Sequence, residues 1–147
     1  MSLLEKLQAD VKTAMLAKDE VTRDTLRMLI AAVKKHELEG GKQITDELTL
    51  STLQSAAKTR QESIDQFSKA GRNDLVAKET AELAVVRRYL PAQLNEDQVR
   101  GLLQRLISEL KLTSKKDVGV LMKAVMAKYK GEVDGKLVQK LAAELLP

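Results

Sequence analysis

The residues best suited to chemistry in this sequence are lysines near its C-terminal end. Residues 111–140 contain eight lysines against three acidic side chains. If this segment is an α-helix, Lys116, Lys123 and Lys130 fall within about 40° of one another around its axis, away from the apolar stripe. A lysine row of this kind would face phosphate groups and bind nucleic acid through charge.

A second pair of lysines and a glycine add to this surface. Lys136 and Lys140 lie one helical turn apart. Gly119 lies beside the lysine row, where a missing side chain would let a partner approach the backbone, and a glycine inside a helix costs up to about 1 kcal/mol relative to alanine. Charge alone favours the alternative interpretation, a solvated helix face, because lysine-rich faces are common on soluble helices.

The segment Gly131-Glu132-Val133-Asp134-Gly135-Lys136 superficially resembles a phosphate-binding loop. Its spacing is one residue short, no Ser or Thr follows the lysine, and no strand precedes it. Glu132 and Asp134 would also repel a nucleotide. We therefore reject a nucleotide site and expect Gly131 to end one helix and Asp134 to cap the next.

Other kinds of site are excluded by composition. The chain has no cysteine and one histidine, His36, which we expect to be exposed, so thiolate zinc sites and sites with two imidazoles are ruled out. Three aromatic residues, Phe67, Tyr89 and Tyr129, are too few for a surface that stacks on bases. We predict no catalytic residue, no metal and no cofactor.

Apolar residues recur at helical spacing along almost the whole chain, which predicts an all-α fold. Thr45, Asn73, Asn95 and Ser114 are predicted helix starts, and the Gly40-Gly41 pair is a predicted stop. Pro91 interrupts the pattern, so we predict two lobes: an N-terminal helical bundle over residues 1–90 and a smaller helical lobe over residues 91–147. Their net charges are +1 and +3, summing to the +4 of the chain.

No segment approaches the roughly 20 apolar residues needed to cross a bilayer. The first residues carry an early acid, Glu5, and lack the basic and apolar regions of a signal peptide. We therefore expect a soluble, cytoplasmic protein with no membrane partner.

Several motifs resemble the YqeY family, and the resemblance covers essentially the whole chain. The most specific are Lys116-Asp117-Val118-Gly119 with Met122, and the segment Lys130 to Lys136. The sequence also resembles the family at Leu90-Pro91-Ala92-Gln93-Leu94. The resemblance implies a two-lobe helical fold. The second lobe is similar to the C-terminal region of the B subunit of the glutamine-dependent Asp/Glu-tRNA amidotransferase, and to a module attached to some glutaminyl-tRNA synthetases.

In those larger proteins this region is implicated in holding tRNA. The resemblance therefore implies candidate tRNA contacts in the second lobe, at Lys116, Gly119, Lys123, Lys130, Gly131, Gly135 and Lys136, to which the charge pattern adds Lys140. Our leading hypothesis is a non-catalytic tRNA-binding or adaptor module whose partners are tRNA and an amidotransferase or aminoacyl-tRNA synthetase. The alternatives are an accessory component of a glutamine-dependent carbon–nitrogen ligase and a helical protein-interaction domain. The resemblance links the chain to such ligases, but no constellation of residues supports catalysis by the chain alone.

Overall fold

A computed structural model describes residues 1–129 and 131–147, and its all-α fold confirms the prediction. One 3-10 turn and seven α-helices form in this part of the chain. Their bounds are α1 Leu3–Leu16, α2 Glu20–Gly40, α3 Asp46–Lys69, α4 Asn73–Arg87, α5 Glu96–Leu110, the 3-10 turn Lys115–Asp117, α6 Val118–Tyr129 and α7 Gly135–Leu145. Contacts divide the chain into two compact units, Met1–Leu90 and Pro91–Pro147.

Local capping chemistry sets several of these helix ends. The Thr45 side chain accepts a hydrogen bond from the backbone N–H of Leu48 (3.1 Å), as predicted, and this satisfies one of the unpaired donors at the start of α3. Gly41 ends α2 in the left-handed conformation with φ +60°, which glycine adopts without steric cost. The predicted stop at the glycine pair is thereby confirmed.

The predicted cap at Asn73 is wrong. Arg72 occupies the N-cap position of α4 and makes no side-chain capping bond, while Asn73 is already the first helical residue. The Arg72 guanidinium instead donates to the Asp74 carboxylate at 3.2 and 3.3 Å, which lowers the pKa of Asp74. A carboxylate in the first turn also favours this helix end through the helix dipole.

The first unit packs α1 to α4 around one apolar cluster. Its fully buried members are Leu7, Leu26, Leu29, Leu53, Val85 and Val86. Among the described residues of α3 and α4, burial is concentrated at one end of the pair. Thr49 and Leu53 are buried near the start of α3, and the buried residues of α4 begin only at Glu82.

The second unit packs α5, α6 and α7 around a separate cluster. Its most buried members include Leu103 from α5, Leu121 and Val125 from α6, and Val138 and Leu141 from α7. Met122 and Met126 are half-buried against the same cluster. In the part of the chain described here, no helix is both long and apolar enough to cross a membrane.

Candidate nucleic-acid interface

The second unit begins with a complete capping box. The Asn95 side chain accepts from the backbone N–H of Gln98 (2.8 Å), and the Gln98 side chain accepts from the backbone N–H of Asn95 (2.9 Å). Just before this box, the Leu94 N–H donates to the Glu132 carbonyl at 2.7 Å. That bond fixes the loop between α6 and α7 against the start of α5.

Lys116 lies in the 3-10 turn, not in an α-helix. Asp117 caps the start of this turn, since its carboxylate accepts from the backbone N–H groups of Thr113 (3.0 Å) and Ser114 (3.3 Å), and the α-helix begins only at Val118. The assumption of one continuous α-helix through Lys116 is therefore wrong, and the 100° spacing does not relate it to Lys123. The Lys116 side chain is exposed.

Lys123 and Gly119 are both exposed on α6. A Cβ atom added at Gly119 would meet nothing within 4 Å, so packing does not require a glycine at this position. Lys130, the third member of the predicted row, lies outside the residues that the structure describes. The place of Lys130 beside Lys123 therefore stays a prediction, whereas Lys116 does not share an α-helix with Lys123.

The loop before α7 has the local geometry that its sequence predicts. Gly131 has φ +87°, a left-handed conformation that favours glycine, and it follows the last described turn of α6. The Asp134 side chain caps α7 by accepting from the backbone N–H of Lys136 (3.1 Å). Gly135 is half-buried, and Lys136 and Lys140 are exposed on α7.

The described candidate residues are spread over the 3-10 turn, α6, the loop after it and α7. The N–H of Lys115 donates to the carbonyl of Pro147 (2.9 Å), so the 3-10 turn adjoins the end of α7. Gly131 and Gly135 lie at the opposite end of α6, about 18 Å away for a helix of 12 residues. The candidates therefore extend along a helix pair and do not converge on one pocket.

In the described part of this unit the arginines form ion pairs with acidic side chains, whereas several lysines do not. Arg100 pairs with Glu96 and Glu144 at 3.5 Å, and Arg105 pairs with Glu109 at 3.8 Å. Within the described residues, no ion pair involves Lys116, Lys123 or Lys140. Two of the three acids among residues 111–140, Asp117 and Asp134, are used as helix caps. The positive excess therefore resides on exposed lysines.

The sequence did not indicate a cleft that the structure shows in the first unit. It has a volume of about 310 Å³ and lies between α1, the start of α2 and the end of α4. The Tyr89 hydroxyl donates to the Asp10 carboxylate at 2.6 Å, and Lys6 lies 5.9 Å from the centre of the Tyr89 ring. Tyr89 and Asp10 are 79 positions apart, so no local pattern could have paired them.

The Tyr89 contact predicts sensitivity to alkaline pH. Burial, and then the hydrogen bond to Asp10, raise the pKa of Tyr89 well above its ordinary value of 10.0. Because the folded-state pKa is the higher one, this contribution to stability is complete below about pH 10 and is lost as pH rises further. Urea unfolding between pH 9 and 11 should therefore show a steeper decline for the wild type than for Tyr89→Phe. A Tyr129→Phe variant should keep the wild-type decline, and equal slopes for all three proteins would contradict the prediction.

His36 offers little chemistry in this setting. It is half-buried on α2, not exposed as expected. Across residues 1–129 and 131–147, no group of three His, Cys, Asp or Glu side chains is placed to hold a metal ion.

The comparison with protein families agrees with the helical architecture. Residues 4–146 match the profile of the family described as Yqey-like protein. The chain belongs to the YqeY family. The match covers both compact units, so the family assignment applies to the whole helical arrangement and confirms the resemblance.

Curated fungal proteins of this family are similar to the chain. "Altered inheritance of mitochondria protein 41, mitochondrial" of Lachancea thermotolerans is 36% identical over 109 residues, 71% of this chain and 58% of that protein. The protein of the same name from Eremothecium gossypii is 40% identical over 90 residues, 60% of this chain and 49% of its own length. That of Pyrenophora tritici-repentis is 32% identical over 148 aligned positions, 98% of this chain and 81% of its own length. The first two matches thus span about half the length of those relatives.

The expectation of a cytoplasmic location is wrong by this comparison, since these relatives are named as mitochondrial proteins. It depended on the lack of a long apolar segment and of a signal-peptide pattern in the first residues. Neither feature distinguishes the cytoplasm from the mitochondrion.

Proposed function

We propose that the second unit is a non-catalytic tRNA-binding module. The observation that carries the proposal is the uncompensated charge of its exposed lysines, Lys116, Lys123 and Lys140. Asp117 and Asp134 act as helix caps and Glu144 pairs with Arg100, so these carboxylates do not neutralise the three lysines, whose ammonium groups are available to phosphate oxygens. Each phosphate contact releases condensed counterions, which makes such binding favourable and strongly dependent on salt.

The remaining candidates would serve close approach and positioning. Gly119 leaves open space on α6 beside Lys123, and Gly135 does the same at the start of α7 beside Lys136. Gly131 turns the chain in the loop before them. Lys130 belongs to the proposed site on sequence grounds. Because the unit has one aromatic residue, Tyr129, whose hydroxyl accepts from Arg105 (2.9 Å), recognition would depend on phosphates and RNA shape and not on base stacking.

As an adaptor, the chain would hold tRNA while another protein performs the chemistry. The resemblance of residues 91–147 to the tail region of the amidotransferase B subunit supports a glutamine-dependent carbon–nitrogen ligase or an aminoacyl-tRNA synthetase as that partner.

Salt titration of tRNA binding tests the proposal. Replacing Lys116, Lys123 and Lys140 by glutamine should weaken binding of the full chain to a tRNA pool by about tenfold to a hundredfold. The slope of log K against log salt should also fall by about 2 to 3, because each lysine neutralises about one phosphate. Fluorescence anisotropy with labelled tRNA, between about 50 and 200 mM salt, measures both quantities.

A variant with the same net charge provides the control. Lys12, Lys58 and Lys78 are exposed lysines of the first unit, and replacing all three by glutamine removes as much positive charge. That variant should bind tRNA with nearly the wild-type affinity and salt slope. If both triple variants lost the same amount of tRNA affinity, net charge alone would explain the binding. If the second-unit variant bound tRNA as tightly as the wild type, the proposed surface would be wrong.

A further inference from the structure

The outward face of α2 carries three large apolar side chains that are exposed. Val21, Met28 and Leu38 are 50%, 46% and 86% exposed, although each has a large apolar side chain. The opposite face of the same helix is buried, through Thr22, Thr25, Leu26, Leu29 and Val33. The helix thus carries large apolar side chains on both sides, and only one side is buried within the chain.

The exposed residues repeat with the spacing of a coiled coil. Val21, Asp24, Met28, Ala31, Lys35 and Leu38 are all exposed and follow alternating steps of three and four. At 100° per residue they fall within an arc of about 100°, so they form one seam along α2. Sustained spacing of this kind is the pattern by which two helices pack side by side. Asp24 and Lys35 are the charged members of the seam.

The seam is complementary to itself when a second copy runs in the opposite direction. A twofold axis midway between Leu29 and Ile30 places Val21 opposite Leu38 and Met28 opposite Ala31. It also places Asp24 opposite Lys35 of the second copy, in two symmetric contacts. A parallel arrangement would instead oppose Asp24 to Asp24 and Lys35 to Lys35, which like-charge repulsion disfavours.

We propose that two copies of this chain associate through the outward face of α2, as an antiparallel helix pair with twofold symmetry. Charge complementarity selects a second copy as the occupant, because the acid and the base occupy symmetry-related positions of the seam. The proposal does not depend on tRNA binding, since it uses a face of the first unit.

We expect the association to be weak, because the contact area is small. A helix of 21 residues gives a strip about 30 Å long and about 10 Å wide, or about 300 Å² per copy, against about 800 Å² in a standard interface. In the antiparallel pair, Arg27 of one copy also comes beside Lys34 of the other, which opposes association. Asp24 and Lys35 have local partners as well, Arg23 at 2.8 Å and Glu39 at 3.8 Å. These exposed pairs are exchangeable at little cost.

Charge reversal of the full chain tests the pairing by sedimentation equilibrium, at concentrations from about 10 µM to about 1 mM, where a weak interface becomes populated. Asp24→Lys and Lys35→Asp alone should each weaken dimerisation about tenfold, because both symmetric contacts become repulsive. The variant carrying both changes should recover the wild-type dimer. Lys58→Asp on α3 is the control reversal, and circular dichroism checks that every variant keeps its helix content.

The absence of cysteine allows the direction to be tested directly. An equimolar mixture of Val21→Cys and Leu38→Cys chains should form a disulfide between unlike copies under mild oxidation, because antiparallel pairing brings these positions together. Val21→Cys alone should remain reduced, since its two copies would be about 26 Å apart along the pair. If the wild-type protein remains monomeric at every concentration tested, the proposal is wrong. That is also the result expected if the seam binds a different protein. The proposal would also be wrong if both single reversals dimerised with the wild-type affinity, or if Val21→Cys alone formed a disulfide.

Discussion

Replacing Glu82 by alanine is expected to lower the free energy of unfolding by about 3 kcal/mol, because it leaves a charge without its partner inside the first unit. Glu82 is 8% exposed, and its carboxylate lies 3.9 Å from the Arg60 guanidinium, which connects α4 to α3. Arg60 keeps one bond through Nη1 to the Ala56 carbonyl (3.1 Å), but its buried Nε has no partner among the described residues. Removing the carboxylate therefore exposes the full desolvation cost of the guanidinium. Chemical denaturation measures the loss.

Two further variants separate the charge from the packing. Replacing both members, as Arg60→Met with Glu82→Leu, should recover most of the stability or exceed the wild type, because apolar residues of similar volume need no buried partner. Glu62→Ala, at an exposed position of α3, should change stability by less than about 0.5 kcal/mol. A loss in the double variant as large as in Glu82→Ala would show that packing, and not the unpaired charge, governs this site.

Replacing Leu141 by alanine is expected to destabilise the second unit by about 2 to 5 kcal/mol. The Leu141 side chain is completely buried on α7, in the cluster that α5, α6 and α7 share. The lost methyl groups leave a cavity in a unit of 57 residues, a size at which the core provides little surplus stability. Amide hydrogen exchange should therefore accelerate throughout α5, α6 and α7.

The amides of α1 to α4 provide an internal reference for this variant, because Leu141 belongs to a cluster distinct from theirs. Their exchange should remain at the wild-type rate. Ala143→Gly, at an exposed position of the same helix, should cost only about 1 kcal/mol through helix propensity. Uniform acceleration across all seven helices in the Leu141→Ala protein would contradict separate unfolding of the two units.

Capping chemistry explains why much of the helical arrangement could be predicted from the sequence. Thr45, Asn95 and Asp134 satisfy backbone N–H groups two or three positions away, so the signal and its partner are both local. Gly41 likewise ends α2 through its own backbone conformation. Such ends depend on near neighbours alone, and their prediction needs no tertiary structure.

The features that could not be predicted from the sequence depend on contacts between residues far apart in the chain. The Arg60–Glu82 pair and the Tyr89–Asp10 bond require a particular packing of helices, which periodicity does not encode. For the candidate interface, the exposure of Lys123 and Lys140 follows from their positions opposite apolar stripes. The placement of Lys115 beside Pro147 does not, because it depends on how α6 packs against α7.

The uneven burial along the α3–α4 pair has a practical consequence for labelling the protein. Among the described residues of these helices, the fully buried ones lie at the end that includes Leu53 and Glu82. The other end turns through Gly71, at φ +70° and fully open around its Cα. Because little core would be disturbed there, this turn is the natural place to insert an epitope or a fluorescent domain. A reporter there would leave both chain ends, the seam of α2 and the lysines of the second unit unmodified.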